Sequence, residues 1–156
     1  MSKYADLRIE YKKAMLEETT VKSDPLAQFD QWFNEAVAAE IPEPNAFTLA
    51  TVGENGTPSA RVLLLKGVDH GGFVFYTNYT SDKAKDIKQF PVGSMVFLWL
   101  GLERQVRISG PISKVSREES EAYFHSRPRE SQIGAWVSPQ SRIIESRDVL
   151  EQNLIE

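Results

Sequence analysis

The chain has 156 residues, of which 41% are hydrophobic and 26% are charged, a composition expected for one globular domain with its own core. It contains no cysteine, and its two histidines are far apart, so we expect no disulfide and no metal site, and the cytoplasm is the expected compartment. The net charge of −4 argues against nucleic-acid binding, and no apolar run is long enough to cross a membrane or to form a secretory signal.

The N-terminal part of the chain is predicted to be helical. Residues 1–22 have only a weak helical period, typical of an arm or lid or of a solvated helix. Ser23-Asp24-Pro25 indicates a helix start, because proline is tolerated in the first turn. The apolar residues from Leu26 to Val37 recur at helical spacing and indicate a face packed on the core.

Strand-like alternation begins after Asn45. The segment Ala46–Val52 alternates between apolar and polar residues, and Asn55-Gly56 predicts a tight hairpin. A turn at Asp69–Gly72 then leads to a third predicted strand, Phe73–Asn78. The short connections predict an antiparallel meander of three strands.

The returning strand of the hairpin carries a cation at each end of an apolar run. The pleat divides this run into two faces, Arg61, Leu63 and Leu65 against Val62, Leu64 and Lys66. One interpretation is that Arg61 and Lys66 bind two different anions, with phosphate the obvious candidate. The other is that both cations simply reach water from the ends of a buried strand.

A short helix follows, with Thr80 or Ser81 as its N-cap and Pro91 beyond its end. Lys83 lies in its first turn, where a lysine opposes the helix dipole and where free N–H groups favour phosphate. An anion bound between the helix and Lys83 would resolve this conflict. The alternative is an ordinary surface lysine.

Two more strands are predicted in the second half of the chain. Ser94–Leu100 is hydrophobic on both faces, and Glu103–Gly110 alternates, with residues 112–115 expected to extend it past Pro111. Five or more antiparallel strands within about seventy residues favour a small barrel, because closure removes the sheet edges.

The C-terminal third is predicted to contain two helices separated by a loop. A capping box at Ser116–Glu119 opens a helix that ends near Arg127-Pro128. Residues 129–138 are predicted to be a ligand-lining loop, or else a surface turn anchored by Trp136. An amphipathic helix starts at Ser146 and stops without a C-cap signal, so we expect a truncated C-terminal segment.

Four motifs together closely resemble the pyridoxamine 5′-phosphate oxidase family. They are Arg61-Val-Leu-Leu-Leu-Lys66, Phe75-Tyr-Thr-Asn78, Glu103-Arg-Gln-Val106 and the block from Tyr123 to Trp136. The resemblance implies a mainly β fold with flanking helices (α+β), an FMN-binding split β-barrel. It implies one domain over residues 1–156, with an N-terminal arm of about residues 1–22, and a homodimer with two flavin sites at the subunit interface.

The resemblance also implies an activity, namely the oxidation of pyridoxamine or pyridoxine 5′-phosphate to pyridoxal 5′-phosphate with FMN as cofactor and oxygen as acceptor. No residue of this chain is expected to act as a general base. The implied flavin contacts are Arg61, Val62, Leu63, Leu64, Leu65, Lys66, Tyr76, Thr77, Lys83, Gln105, Gln140 and Ser141. The implied substrate contacts are Lys66, Tyr123, Arg127 and Ser131, with Arg8 and Tyr11 on an arm over the site.

The sequence departs from the family pattern at two places. Asp82 stands where the family usually has arginine, and the chain ends before a Trp-Gly-Gly segment and an Arg-Leu-His-Asp-Arg motif. Two other functions therefore stay open: a non-catalytic FMN or pyridoxal-phosphate binding protein, and a different FMN-dependent reductase on the same barrel. Tyr123, Arg127 and Ser131 supply a phenol, a guanidinium and a hydroxyl, which favours a phosphorylated substrate.

Overall fold

The computed structural model describes residues 7, 10, 12, 13 and 15–155. This part of the chain contains six strands and five α-helices. The strands are β1 (Ala46–Val52), β2 (Pro58–Leu64), β3 (Gly67–Asp69), β4 (Gly72–Val74), β5 (Val92–Trp99) and β6 (Arg104–Pro111). The helices are α1 (Pro25–Ala38), α2 (Asp82–Gln89), α3 (Arg117–Ser126), α4 (Arg129–Val137) and α5 (Asp148–Ile155). Short 3-10 turns occupy Glu18–Thr20 and Leu100–Leu102.

The strands form two antiparallel sheets. The larger has four strands in the order β2-β1-β5-β6, and β3 pairs with β4 in a separate two-stranded sheet. β1 and β2 are joined by the Asn55-Gly56 hairpin, in which Gly56 takes a φ of 78° that glycine adopts without steric cost. The register of this hairpin places Leu49 opposite Arg61 and Thr51 opposite Ser59.

One face of the four-stranded sheet packs against α1 and forms the core. Phe29 of α1 contacts Phe97 of β5, with ring centroids 5.0 Å apart, and Phe97 in turn contacts Phe47 at 5.4 Å. Trp99 is also buried, and its indole N–H donates to the Pro44 carbonyl oxygen at 2.9 Å. These aromatic contacts fix α1 across β1 and β5.

The opposite face of the same sheet carries exposed apolar side chains on β2 and β5. Val62 of β2 is 65% exposed and Leu98 of β5 is 56% exposed. The alternation predicted for the Arg61–Lys66 run is confirmed, since Leu63 and Leu65 turn towards the core while Val62 and Leu64 turn outwards. An exposed apolar sheet face is unusual for a monomer.

The predicted helix starts and the first hairpin are confirmed. Asp24 caps α1, accepting a hydrogen bond from the Leu26 N–H at 3.0 Å. Ser116 caps α3, accepting from the Glu119 N–H at 3.1 Å. The predicted strand 46–52 coincides with β1, and α5 lies within the predicted C-terminal helix.

Three details of the predicted sheet are wrong. The third strand ends at Val74 instead of residue 78, and it pairs with β3 instead of completing a meander with β2. Residues 112–115 do not extend β6: the Ile112 N–H still donates to the Pro91 carbonyl oxygen at 2.8 Å, but Pro91 has no N–H to return a bond, and the ladder ends there. The described strands therefore form an open sheet and a two-stranded ribbon, and no closed barrel is seen among them.

The segment predicted to be a ligand-lining loop is instead helix α4. The Ser131 and Gln132 N–H groups donate to the Pro128 carbonyl oxygen, and the Gln132 side chain donates to the Arg127 carbonyl oxygen at 2.7 Å. The good helix formers of this segment outweigh its single Gly134. Trp136 is 81% exposed and so does not anchor a surface turn either.

The predicted N-terminal arm is described only in part, and Arg8 and Tyr11 lie outside the described residues. The backbone N–H groups of Lys12 and Lys13 both donate to Glu103 Oε2, at 2.7 and 2.8 Å. Glu103 occupies the turn between β5 and β6, so this part of the arm is attached to the end of the larger sheet.

The cap on α1 generates a stability prediction. Replacing Asp24 by alanine leaves the Leu26 N–H without its acceptor and should lower the free energy of unfolding by about 1 kcal/mol. Urea unfolding followed by circular dichroism measures the change. Asp30→Ala on the exposed side of the same helix is the control, and an equal loss in both variants would contradict the capping role.

Candidate functional site

A cavity of about 410 Å³ lies where β2, the start of α2 and the segment after α4 meet. Its wall is about equally polar and apolar and contains two cations. The lining residues are Ser59, Arg61, Val62, Leu63, Asp82, Lys83, Gln140 and Ser141. Six of these belong to the predicted flavin contacts, and they come from three separate parts of the sequence.

Lys83 is the most deeply buried charge of the cavity, with 6% of the residue exposed. Its ammonium group donates to Gln140 Oε1 at 2.9 Å and to Ser81 Oγ at 3.3 Å. Burial lowers the pKa of Lys83, and the positive charge of Arg61 lowers it further. Among the described residues no carboxylate forms an ion pair with Lys83, so an anionic ligand would supply the missing opposite charge.

Arg61 points from β2 into the same cavity and is held by neutral oxygen atoms. Its Nη1 donates to Thr51 Oγ1 at 2.7 Å and to the Leu49 carbonyl oxygen at 3.3 Å, and its Nη2 donates to Ser59 Oγ. Asp86 Oδ2 lies 3.8 Å from Nη2, too far for a direct hydrogen bond. The guanidinium is therefore fixed by hydrogen bonds to neutral oxygen atoms, with the Asp86 carboxylate in ion-pair range but not directly hydrogen-bonded.

Asp82, an acid in the first turn of α2, lies at the exposed rim of the cavity. Its carboxylate accepts from Lys85 Nζ at 2.8 Å, one turn further along α2. The hydrogen bond and charge of Lys85 lower the pKa of Asp82, which keeps it ionised. Lys85 thus offsets a negative charge that would otherwise face an incoming anion.

A second cluster joins a predicted flavin contact to a predicted substrate contact. The rings of Tyr76 and Tyr123 are stacked, with centroids 3.7 Å apart and planes 4° from parallel. The Tyr76 hydroxyl donates to Glu119 Oε1 at 3.3 Å, and His70 Nε2 lies 3.4 Å from Glu119 Oε2. Burial raises the pKa of Tyr76, and the Glu119 charge raises it further.

The other predicted site residues within the described part of the chain are not among those that line the cavity. Leu65 belongs to the core, whereas Lys66 and Leu64 are exposed. Thr77 is half-buried in the segment that follows β4, beside Tyr76. Gln105 lies opposite Leu98 in the β5–β6 ladder and is exposed, as Leu98 is.

Two predicted substrate contacts lie at the junction of α3 and α4. Arg127 and Ser131 are both half-buried there, whereas the cavity wall is formed by other residues. Among the described residues, no group of three histidine, aspartate or glutamate side chains is placed to hold a metal ion. In that same part of the chain, every helix is too short or too polar to cross a bilayer.

Four residues around these clusters were not predicted from the sequence: Thr51, Ser59, Asp86 and Glu119. Thr51 could have been found from the alternation of β1, which places it on the inward face with Phe47 and Leu49. A hydroxyl buried on that face needs a hydrogen-bond partner. Glu119 was recognised only as part of a capping box. Asp86 carries no local signal, because its partners are 27 and 35 residues away.

Comparison with known proteins identifies the family. The family model described as pyridoxamine 5′-phosphate oxidase matches residues 33–156. The pyridoxine/pyridoxamine 5′-phosphate oxidase of Burkholderia ambifaria is 59% identical over 151 residues, covering 97% of this chain and 71% of the relative. This chain belongs to the pyridoxamine 5′-phosphate oxidase family. It is thereby a member of a family of FMN-dependent oxidoreductases.

Solved structures agree with this assignment at the level of the fold. PhzG from Burkholderia lata, solved with tetrahydrophenazine-1-carboxylic acid, is 25% identical with a TM-score of 0.85, covering 91% of this chain and 71% of PhzG. An FMN binding protein from Nostoc punctiforme, related to pyridoxamine 5′-phosphate oxidase, is 21% identical with a TM-score of 0.64, covering 84% and 73%. The predicted fold class, a split barrel with flanking helices, is confirmed.

The burial and hydrogen bonds of Lys83 lead to a prediction about the affinity for FMN. Lys83→Met keeps the apolar stem but removes the charge, and FMN binding should weaken roughly tenfold or more. Fluorescence titration of FMN measures the effect. Lys88→Met, an exposed change on the same helix, is the control, and similar losses in both variants would contradict a role for Lys83 in the cavity.

Proposed function

We propose that this protein oxidises pyridoxamine or pyridoxine 5′-phosphate to pyridoxal 5′-phosphate, with FMN as cofactor and oxygen as electron acceptor. The observation that carries the proposal is the cavity in which Arg61, Lys83 and Gln140 converge in a chain of this family. Two cations around one polar cavity match the charge of a phosphate group. The absence of cysteine continues to favour a cytoplasmic location.

The residues of the cavity fit the phosphate end of FMN. Lys83 supplies a buried ammonium without a carboxylate partner in the described residues, and Arg61 supplies N–H donors that its neighbours leave unused. Gln140 and Ser141 close the third side with an amide and a hydroxyl. The chemistry that bound FMN supplies is acceptance of a hydride from substrate C4′ and transfer of the electrons to oxygen. The remaining predicted flavin contacts, from Val62 to Lys66 with Tyr76, Thr77 and Gln105, stay part of the proposal.

The protein's own contribution is to bind and orient the substrate. We assign Lys66, Tyr123, Arg127 and Ser131 to the substrate phosphate, with Arg8 and Tyr11 on the arm. The stack of Tyr76 on Tyr123 supports this assignment, because it joins the flavin set to the substrate set. A substrate held by its phosphate presents its reacting carbon in one orientation, which is how placement contributes to the rate.

We also propose that the active protein is a homodimer. The sheet face that carries Val62 and Leu98 exposes large apolar side chains, which a second subunit would cover. Gln105 lies on this face and is not among the residues that line the cavity, where six of the other predicted flavin contacts of the same chain are found. A second copy related by twofold symmetry would cover the apolar face and could bring Gln105 of one subunit to the flavin of the other.

The reaction is tested by turnover of pyridoxine 5′-phosphate with detection of hydrogen peroxide. In Arg127→Met and Lys66→Met, the lost charged hydrogen bond should cost about 2–3 kcal/mol, which raises the Michaelis constant roughly thirty- to a hundredfold. FMN content should change little in the Arg127 variant. Methionine keeps the apolar stem, so lost packing is a small part of the effect.

Unphosphorylated pyridoxine provides the internal control, since it has no phosphate for these cations to bind. Equal losses on both substrates would mean that the cations are structural. Protein that binds FMN and pyridoxal 5′-phosphate without producing peroxide would instead be a non-catalytic binding protein. Protein that takes up no FMN on titration would overturn the proposal.

The dimer is tested by placing a charge on the exposed sheet face. Leu98→Asp should shift the sedimentation coefficient from dimer to monomer at micromolar concentration, because an unpaired carboxylate in an apolar interface is strongly unfavourable. Lys88→Asp, an exposed change on α2, should leave the dimer intact. A wild-type protein that sediments as a monomer with flavin bound would contradict the proposal.

A further inference from the structure

A hydrogen-bond network behind the cavity links Arg61 to Asp86 through two hydroxyl groups. Thr51 Oγ1 and Ser59 Oγ both donate to Asp86 Oδ2, at 2.7 and 3.1 Å. The same two oxygen atoms accept from the Arg61 guanidinium, Thr51 from Nη1 at 2.7 Å and Ser59 from Nη2. The family motifs and the proposed function use Arg61 but assign no role to Asp86, Thr51 or Ser59.

The charges at the two ends fix the direction of the hydrogen bonds that join the hydroxyls to Arg61 and to Asp86. A guanidinium can only donate and an ionised carboxylate can only accept. Each hydroxyl therefore accepts from Arg61 and donates to Asp86, and it cannot rotate without losing one of the two bonds. Through the hydroxyls, the carboxylate holds the plane of the guanidinium.

The network leaves one edge of Arg61 available. Both N–H groups of Nη1 are used, on Thr51 and on the Leu49 carbonyl oxygen, and one N–H of Nη2 is used on Ser59. Within the part of the chain that the structure describes, the Nε–H and the second Nη2–H have no acceptor. These two donors lie side by side on a guanidinium and match two oxygen atoms of one phosphate.

We infer that Asp86 is a positioning residue for the FMN phosphate, holding Arg61 through Thr51 and Ser59 with its free Nε–Nη2 edge available to the ligand. The inference rests on the proposed function, in which Arg61 binds that phosphate. Asp86 lies on α2 three residues after Lys83, so one helix sets the position of both cations. Thr51 and Ser59 are cross-strand neighbours, so the hairpin register brings the two hydroxyls together.

Asp86 also carries a negative charge, which by itself would oppose phosphate. Its removal has two effects of opposite sign, because losing the charge strengthens binding and losing the orientation of Arg61 weakens it. Asp86 does not line the cavity, and although its Oδ2 lies 3.8 Å from Arg61 Nη2, its hydrogen bonds reach the guanidinium only through the two hydroxyls. The orientation effect should therefore dominate.

Thr51→Val is the first test, because it preserves the shape of the side chain and removes one hydroxyl. Thr51 is 2% exposed and does not line the cavity, so it can affect a ligand only through its neighbours. FMN affinity in a fluorescence titration should fall about tenfold, the loss expected when one hydrogen bond to a charged group is misplaced. Riboflavin, which lacks the phosphate, should bind as to the wild type, and Thr51→Ser should restore FMN binding.

The Asp86 variants separate orientation from charge. Asp86→Asn keeps an oxygen acceptor for both hydroxyls and should retain most of the FMN affinity, whereas Asp86→Ala should lose it as Thr51→Val does. Glu54→Ala in the exposed hairpin turn is the matched control for a lost carboxylate and should bind FMN normally. If Asp86→Ala does not fold, the Thr51 variants decide the question.

Three results would overturn the inference. Tighter FMN binding in both Asp86 variants would mean that Asp86 acts through its charge. Equal loss of FMN and riboflavin affinity, with a lowered melting temperature of the ligand-free protein, would mean a purely structural role. Unchanged FMN affinity in Thr51→Val would overturn the inference alone, whereas a wild type that binds no FMN would overturn the proposed function with it.

Discussion

The constraint on which the site depends is the cost of keeping positive charge at the edge of a protein core. An isolated buried cation is strongly unfavourable, and proteins usually pair it or neutralise it. Here Lys83 is satisfied by an amide and a hydroxyl, and Arg61 by two hydroxyls and a carbonyl oxygen. The direct hydrogen bonds to both cations come from neutral oxygen atoms, and Asp86, 3.8 Å from Arg61 Nη2, is the carboxylate in ion-pair range of this pair among the described residues. A site built in this way keeps its attraction for an anion.

That arrangement requires the strands and α2 to be placed accurately. The β1–β2 register sets Thr51 opposite Ser59, and a slip of one residue would turn Arg61 to the exposed face. The aromatic contacts of Phe29, Phe47 and Phe97 hold α1 against the sheet and so fix the inward face of β1. The positions of the cavity side chains thus depend on aromatic packing in the core, by residues that do not line the cavity themselves.

Local signals in the sequence account for much of this structure. Asp24 and Ser116 cap helices as expected, and Asn55-Gly56 forms the hairpin, because caps and turns are set by neighbouring residues. The division of residues 61–66 between two faces also follows from the pleat alone. Lys83 and Arg61 were recognised as candidates because a lysine opposes the dipole in the first turn of a helix, and an apolar strand needs no cation for its own packing.

The errors have a common physical origin. Residues 129–138 contain polar and aromatic residues that suggest a loop, but helix propensity and the hydrogen bonds of Ser131 and Gln132 to the preceding carbonyl oxygen atoms favour α4. The pairing of β4 with β3 instead of β2 depends on contacts that periodicity does not encode. Asp86 was missed for the same reason, since its role depends on side chains brought together only by folding.

The burial of Lys83 has a consequence for the way the cavity exchanges protons with solvent. Its lowered pKa means that the free site begins to lose the lysine proton at a lower pH than an exposed lysine would. A phosphate bound beside it favours the charged form and raises the pKa again. Binding is then accompanied by proton uptake in the alkaline range, and affinity falls as pH rises through the pKa of the free lysine. Binding of the phosphate therefore keeps Lys83 protonated, and the protonated lysine in turn attracts the phosphate.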